Sequence, residues 1–205
     1  MLSHLPLAAK ALGARLVRAA ALAGLVSMTG CASYYVDTAT KEVPVSQYKV
    51  PAPKAPVQML FEFQTKGVAN SRATDMLKTQ VVEQVRTSGL FSDVSELPVQ
   101  GGAVLSITLN NVPLTDNAFG KGFVTGLTFG LAGQQVTDGY ICTAKFLDEK
   151  HKEPLTVTVR HAIHTVVGAK GAPGNAVAAP DIGTAVRTMT KQAVSTALSD
   201  VSQSL

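Results

Sequence analysis

Charge is scarce in this chain. Asp, Glu, Lys and Arg make up 16% of its 205 residues, against about 25% in an average soluble domain. With 46% hydrophobic residues, that composition excludes a chain disordered throughout. Tryptophan is absent, and two cysteines cannot build a disulfide-rich scaffold. Beyond the amino terminus, no apolar run reaches the ~18 uncharged residues of a spanning helix, and no internal repeat is visible. The length suits one domain, or one domain with a tail. The formal charge of +4 is uneven: Lys10, Arg15 and Arg18 supply +3 of it, and residues 1–30 hold no acid. The remaining 15 basic and 14 acidic side chains leave a nearly neutral domain. It has none of the clustered Lys and Arg that nucleic-acid binding requires.

What is present begins with a leader. Lys10, Arg15 and Arg18 precede a short apolar stretch, residues 19–26, which ends in Met28-Thr29-Gly30-Cys31. This order of charged, apolar and small residues reads as an export signal spanning 1–30. Its end resembles the lipobox of bacterial lipoproteins, with Met28 in place of the commoner Leu. The resemblance implies cleavage between Gly30 and Cys31 and a diacylglycerol thioether on Cys31. Ala32, rather than Asp, at the next position implies sorting to the outer membrane. Several acyl chains on one cysteine anchor stably, each buried CH₂ contributing about 0.8 kcal/mol.

Residues 31–56 read as the lipidated cysteine and a flexible tether. Pro44, Pro51, Pro53 and Pro56 interrupt them, no packing period is sustained, and Pro-rich segments extend. Tyr34 and Tyr35 either reach the headgroups or pack on the domain. Residues 57–205 read as the folded domain. Val57, Met59, Phe61 and Phe63 alternate with polar positions as a half-buried strand. A helix capped by Asn70 or Ser71 follows, with Ala73, Met76, Leu77, Val81 and Val85 on one face and Gly89 closing it. Residues 90–97 suggest a short edge strand and residues 103–112 another strand. Residues 136–147 and 155–167 suggest a hairpin across the polar turn 148–153. After a Gly/Ala/Pro loop, Asp181 caps a last amphipathic helix. The expected fold is α+β: a mostly antiparallel sheet of four to five strands with two helices on one face.

The lipobox, the proline-bearing arm, Gly89-Leu90-Phe91 after the first helix and the segment Gly126-Leu127-Thr128-Phe129-Gly130-Leu131 together resemble a group of envelope lipoproteins with an anticodon-binding-like α/β domain. That group includes the curli-secretion lipoprotein, the lipoprotein activators of penicillin-binding proteins and the amino-terminal domain of TolB. The resemblance covers residues 57–203 by element order. It implies a periplasm-facing, non-enzymatic binding or accessory module in envelope assembly, transport or peptidoglycan synthesis. The implied partners are the outer membrane, through acylated Cys31, and an unidentified envelope protein. A homo-oligomer is an open alternative, and no nucleic acid and no cofactor are expected.

Catalytic and metal signatures are sparse. His161 and His164 fall on a strand at odd spacing, which sends them to opposite faces and forbids a shared metal. The expectation is one core histidine and one surface histidine. Thr115, Thr137 and Ser106 stand beside no obvious base, and no nucleophile elbow occurs. Gly120-Lys121-Gly122 matches no phosphate-binding fingerprint. Cys142 alternates with Tyr140, Ala144 and Phe146 as an inward, buried thiol. Residues 122–137 run sixteen positions without a charge. As a helix they would stack Gly122, Gly126 and Gly130; as a strand they would place Phe123, Leu127, Phe129 and Leu131 on one face. Those four are the candidate interaction or membrane residues. Two readings follow: a segment packed on protein, or membrane hairpins built from residues 119–146 in an oligomeric pore.

Overall fold

The computed structural model describes residues 32–114, 135–149, 153–168 and 171–205. The chain divides into two compact units, Met1–Ala32 and Ser33–Leu205; the fold below is that of the second, with Ala32 at its margin. Among the described residues there are eight strands and two α-helices. In chain order they are β1 (Ala32–Asp37), a 3-10 turn (Val45–Gln47), β2 (Val57–Thr65), β3 (Val68–Ala69), α1 (Ser71–Thr87), β4 (Val94–Ser95), β5 (Ala103–Pro113), β6 (Gln135–Leu147), β7 (Leu155–Val167), β8 (Ala176–Ala179) and α2 (Ile182–Ser202).

One open sheet runs β3-β2-β5-β6-β7-β1-β8, with β4 also beside β2. The α+β class holds, but the sheet has eight strands rather than four to five, and it is mixed. β2 pairs parallel with β5 along its whole length, Val57 opposite Ala103 through Thr65 opposite Asn111. A parallel neighbour needs a crossover connection, and α1 lies within it. The β5–β6 and β6–β7 pairs are antiparallel. β3 and β4 are two residues each, too short for a period to show. β2 turns into β3 through Lys66 and Gly67, both at positive φ (54° and 79°). Two left-handed residues match the twist of a two-residue hairpin, and glycine adopts that conformation at no steric cost.

The period-two pattern assigns the faces. Met59 and Phe63 of β2, Leu105, Ile107 and Leu109 of β5, Cys142 and Ala144 of β6 and Val159 of β7 are buried on one side. Leu77, Val81 and Val85 of α1 and Met189, Ala193, Val194, Ala197 and Leu198 of α2 join them in a single core. Full burial of each large aliphatic side chain contributes about 1.5–3 kcal/mol. Met76, expected on the apolar face, is 40% exposed. The two helices are also stitched by polar side chains. Gln80 and Gln84 donate to the carbonyls of Arg187 and Lys191 (2.9 and 2.8 Å), and Arg187 donates to the carbonyl of Met76 (3.1 Å).

Asn70 caps α1, accepting from the Ala73 N–H (3.1 Å) while its amide donates to Thr65 (3.1 Å). Asn70→Ala should therefore cost about 1 kcal/mol, read as a lower urea midpoint at unchanged m-value. Gly89, at φ 71°, follows the helix in the left-handed conformation that ends many helices. Asp181 caps α2, accepting from the Thr184 N–H (2.7 Å) and hydroxyl (2.7 Å). Those two bonds hold its carboxyl below the usual carboxylate range.

The expected tether is the main correction. Residues 32–56 are packed on the domain. β1 sits in the sheet paired with β8, Tyr34 opposite Ala179 through Asp37 opposite Ala176. Tyr48 is buried, and its hydroxyl donates to the Ser195 carbonyl (2.9 Å). The Val43 and Lys49 N–H groups donate to the hydroxyls of Ser195 and Ser202 (3.0 Å each). The folded unit therefore starts some two dozen residues before Val57. Prolines prevent a regular period here, but a strap laid across a sheet edge and a helix needs none. Burial and the Glu42 charge push the Tyr48 phenol up to about 12.

Candidate functional site

β7 carries an imidazole on each face, and both are fully buried. The register places His161 opposite Tyr140, on the helix side, and His164 opposite Thr137, on the other. Opposite faces were expected and are found; a surface position for His164 was also expected, and its full burial corrects that. Asp37 at the end of β1, itself held by Asn175 from the turn before β8, meets the ring there.

His161 accepts at Nδ1 from the Ala162 N–H (2.8 Å), so Nε2 carries the proton and donates to Gln192 Oε1 on α2 (2.8 Å). Burial pushes its pKa down, opposed by the Gln192 hydrogen bond. This is a neutral core histidine joining β7 to α2.

His164 lies in a longer row. Nε2 is 3.2 Å from Asp37 Oδ2, and Nδ1 is 2.9 Å from the Thr137 hydroxyl. A carboxylate only accepts, so Nε2 donates to Asp37. Asp37 is itself fully buried. It accepts at Oδ2 from the Asn175 amide (2.8 Å) and at Oδ1 from the Ala39 N–H (2.7 Å). Thr137 does have a base beside it, contrary to the expectation from sequence, since β6–β7 register decides what chain distance hides. The row has the composition of an acid–base relay, hydroxyl to imidazole to carboxylate. Its imidazole and carboxylate are nonetheless enclosed, and what the geometry accomplishes is to tie β6, β7, β1 and the β8 turn together. Breaking such an enclosed pair is costly because it strands a buried charge.

A cavity of about 250 Å³ adjoins this row, lined by Val36, Asp37, Thr38, Ala179, Thr188 and Gln192 among others. It separates the β1–β8 ribbon from α2. On the opposite side of the sheet, Ala162 is fully buried against Val112, Leu114 and Ile141. Cys142 is a free, buried thiol pushed up to about 12 by burial, which leaves it unreactive. Asp138 stands above its usual range through burial, opposed by a hydrogen bond from Asn111. Among the described residues, no three His, Cys, Asp or Glu side chains gather to hold a metal. Among them, too, no helix is long and apolar enough to cross a membrane.

The residues singled out from sequence lie elsewhere. Gly30, Cys31, Phe123, Leu127, Phe129 and Leu131 all fall outside the described residues, as do Thr115 and Gly120-Lys121-Gly122. The proposed hairpin range 119–146 needs correction at its second half. β6 is an interior strand, hydrogen-bonded to β5 and β7 on its two edges, and Tyr140, Cys142, Ala144 and Phe146 are in the core. Those residues are committed to the domain. The Asp37–Asn175–His164–Thr137 row was missed altogether. Only an acidic residue in a stretch otherwise without charge, residues 32–40, hinted at it.

No family model and no curated protein matches the chain. Among solved structures, a PelC dodecamer from Paraburkholderia phytofirmans aligns at TM-score 0.36 and 14% identity, covering 85% of this chain and 99% of that one. That alignment is to a variant of PelC carrying one substitution; the PelC dodecamer without it, in another crystal form, gives 0.34 and 14%, with 85% and 98% covered. A candidate lipoprotein from Caulobacter crescentus gives 0.28 and 11%, with 72% and 85% covered. Likeness at this level assigns no function.

Proposed function

We propose that the protein is a lipid-anchored lipoprotein of the bacterial outer membrane. Its periplasm-facing α+β domain acts as a non-enzymatic binding or accessory module in envelope assembly, transport or peptidoglycan synthesis. The observation that supports this reading is which strand ends gather at one end of the sheet. β1 runs beside β7 in the opposite direction, with Asp37 meeting His164 and the Thr40 hydroxyl meeting the Arg160 carbonyl (2.7 Å). Its start therefore lies at the end of the sheet where β7 finishes. At that same end β6 begins, with Gln135 opposite Val166, and β5 finishes, with Pro113 opposite Asp138. The start of β1, which follows Cys31 directly in the sequence, and both described flanks of residues 115–134, Leu114 and Gln135, thus lie at one end of the sheet.

Cys31→Ser removes the sulfur that would carry the lipid. The variant should remain an unprocessed precursor and lose outer-membrane partitioning, measured by density-gradient fractionation with mass spectrometry of the amino terminus. Fractionation like wild type overturns the anchor. For the segment between those flanks, replacing Leu127 and Phe129 by Ser should lower partner recovery after crosslinking in native envelopes while leaving lipidation intact. Unchanged recovery removes those residues from the binding surface.

A further inference from the structure

We propose that β1 and β8 form a latched strap, with Asp37–His164 as its latch. On release the two strands leave β7 as one unit while β2 to β7 and both helices stay folded.

The ribbon is built to move together. β8 takes its register from β1 alone, at the outer edge of the sheet. The turn before β8 grips the end of β1: the Asn175 carbonyl accepts from both the N–H and the hydroxyl of Thr38 (2.9 Å each), and its amide holds Asp37. By contrast, few side chains of the ribbon are buried against the body of the domain. Within β1 only Val36 and Asp37 are buried, no residue of β8 is, and Val177 is 62% exposed. The seam against α2 contains the 250 Å³ cavity, so dispersion contacts that close packing would provide are missing there. Beside the backbone pairing of β1 with β7 and the contacts of Val36, Tyr34 and Ala179 with the core, the polar hold of the ribbon centres on one buried carboxylate and its enclosed imidazole.

The roots of the ribbon are fixed. After β1, Thr40 bonds the Arg160 carbonyl and Val43 bonds Ser195; after β8, Asp181 caps α2. Opening therefore stops at these pins, with β1 freed only before Thr40 and β8 only before Asp181, which is the pattern of a local unfolding unit. It bares the edge of β7, a row of backbone donors and acceptors able to take an extended segment. The inference stands whether or not Cys31 is acylated.

Hydrogen exchange of the full chain, followed by mass spectrometry, tests it. In the wild type, amides of residues 32–37 and 176–179 should exchange together and before those of β5, β6 and β7. Asp37→Asn keeps the shape and removes the charge; it should speed exchange in both ribbon strands by about tenfold or more, with β5 to β7 unchanged. Asn175→Ala, which removes one hydrogen bond and leaves the pair, should act in the same direction by a smaller factor, and it decides the matter if the Asp37 variant does not fold. Ribbon amides as slow as those of β7 in the wild type overturn the proposal. So does a variant that accelerates every strand equally.

Discussion

A chain beginning at Val57 is expected to be unfolded, whereas one beginning at Thr40 is expected to fold. The two truncations differ by residues 40–56, the stretch that carries the strap across α2. Its loss removes the buried Tyr48 ring and the bond from its hydroxyl to Ser195. It also removes the N–H groups that the Ser195 and Ser202 hydroxyls accept from, although both hydroxyls still donate to the Gln192 and Ser199 carbonyls, and it strands the Ser92 and Ala103 N–H groups, which donate to the Ala55 and Pro56 carbonyls (3.0 Å each). Emptying the site of a large buried aromatic costs about 3–5 kcal/mol, and each stranded buried polar group a further ~1–3 kcal/mol. Together these rival the whole stability of an ordinary domain, about 5–15 kcal/mol. Losing β1 costs the Asp37–His164 pair and the Val36 side chain, but it leaves Tyr48 and the core between both helices and β2, β5, β6 and β7 in place, so the shorter chain is less stable than the full domain yet still folds. Circular dichroism with urea titration reads the difference. A cooperative transition for residues 57–205 with the midpoint of the full domain would return residues 40–56 to the status of a tether.

That contrast shows where the sequence is legible. Periodicity is strong where one face of an element is wholly buried and the other wet, as in β2, β5, α1 and α2, and there the residues announce both element and face. Gly89, Asn70 and Asp181 mark helix ends because each satisfies a backbone need that few other side chains meet. The edges behave differently. β8 is four small residues between glycines and Pro180, and β1 is six residues with only two buried, so neither shows alternation. β1 exists because β7 presents an unpaired edge, and β8 because β1 then presents the next one; these are properties of the assembled sheet and not of their own residues.

The buried polar row was illegible for a related reason. His164 and Asp37 stand 127 positions apart, and each alone reads as a surface residue. His161 was legible because its neighbours Val159 and Ile163 alternate with it on an apolar face. The sequence also carried too little to separate a segment packed on protein from one packed on lipid. Uncharged length, glycine and large apolar side chains suit both, and the register of β6 narrows the question by assigning residues 135–146 to the domain.

Acid should destabilise the domain through His161, and the direction follows from its burial. An unfolded histidine titrates near 6.5, and burial lowers the folded value beneath that. Between the two values the unfolded chain binds the proton and the native chain does not. Stability contributed by the neutral ring is thus complete above about pH 6.5 and drains as pH falls toward the lowered value, with a slope of at most ~1.4 kcal/mol per pH unit from one proton. Protonation would also place a second donor at Nδ1, where the Ala162 N–H already points. Asp138 acts in the opposite sense. Its raised carboxyl holds a proton longer in the native state, so its contribution is lost as pH rises through the raised value, and it cannot mimic the histidine. Urea titrations at steps from about pH 7.5 to 5 should show stability falling with acid in the wild type. In His161→Gln the same titration should lose up to one proton's worth of slope, even though the substitution lowers stability at neutral pH. Asp138→Asn should leave the histidine-dependent fall in place. An unaltered slope in His161→Gln would mean that the acid sensitivity belongs to other groups, and that the ring between Ala162 and Gln192 accepts its proton in the folded chain as readily as in the unfolded one.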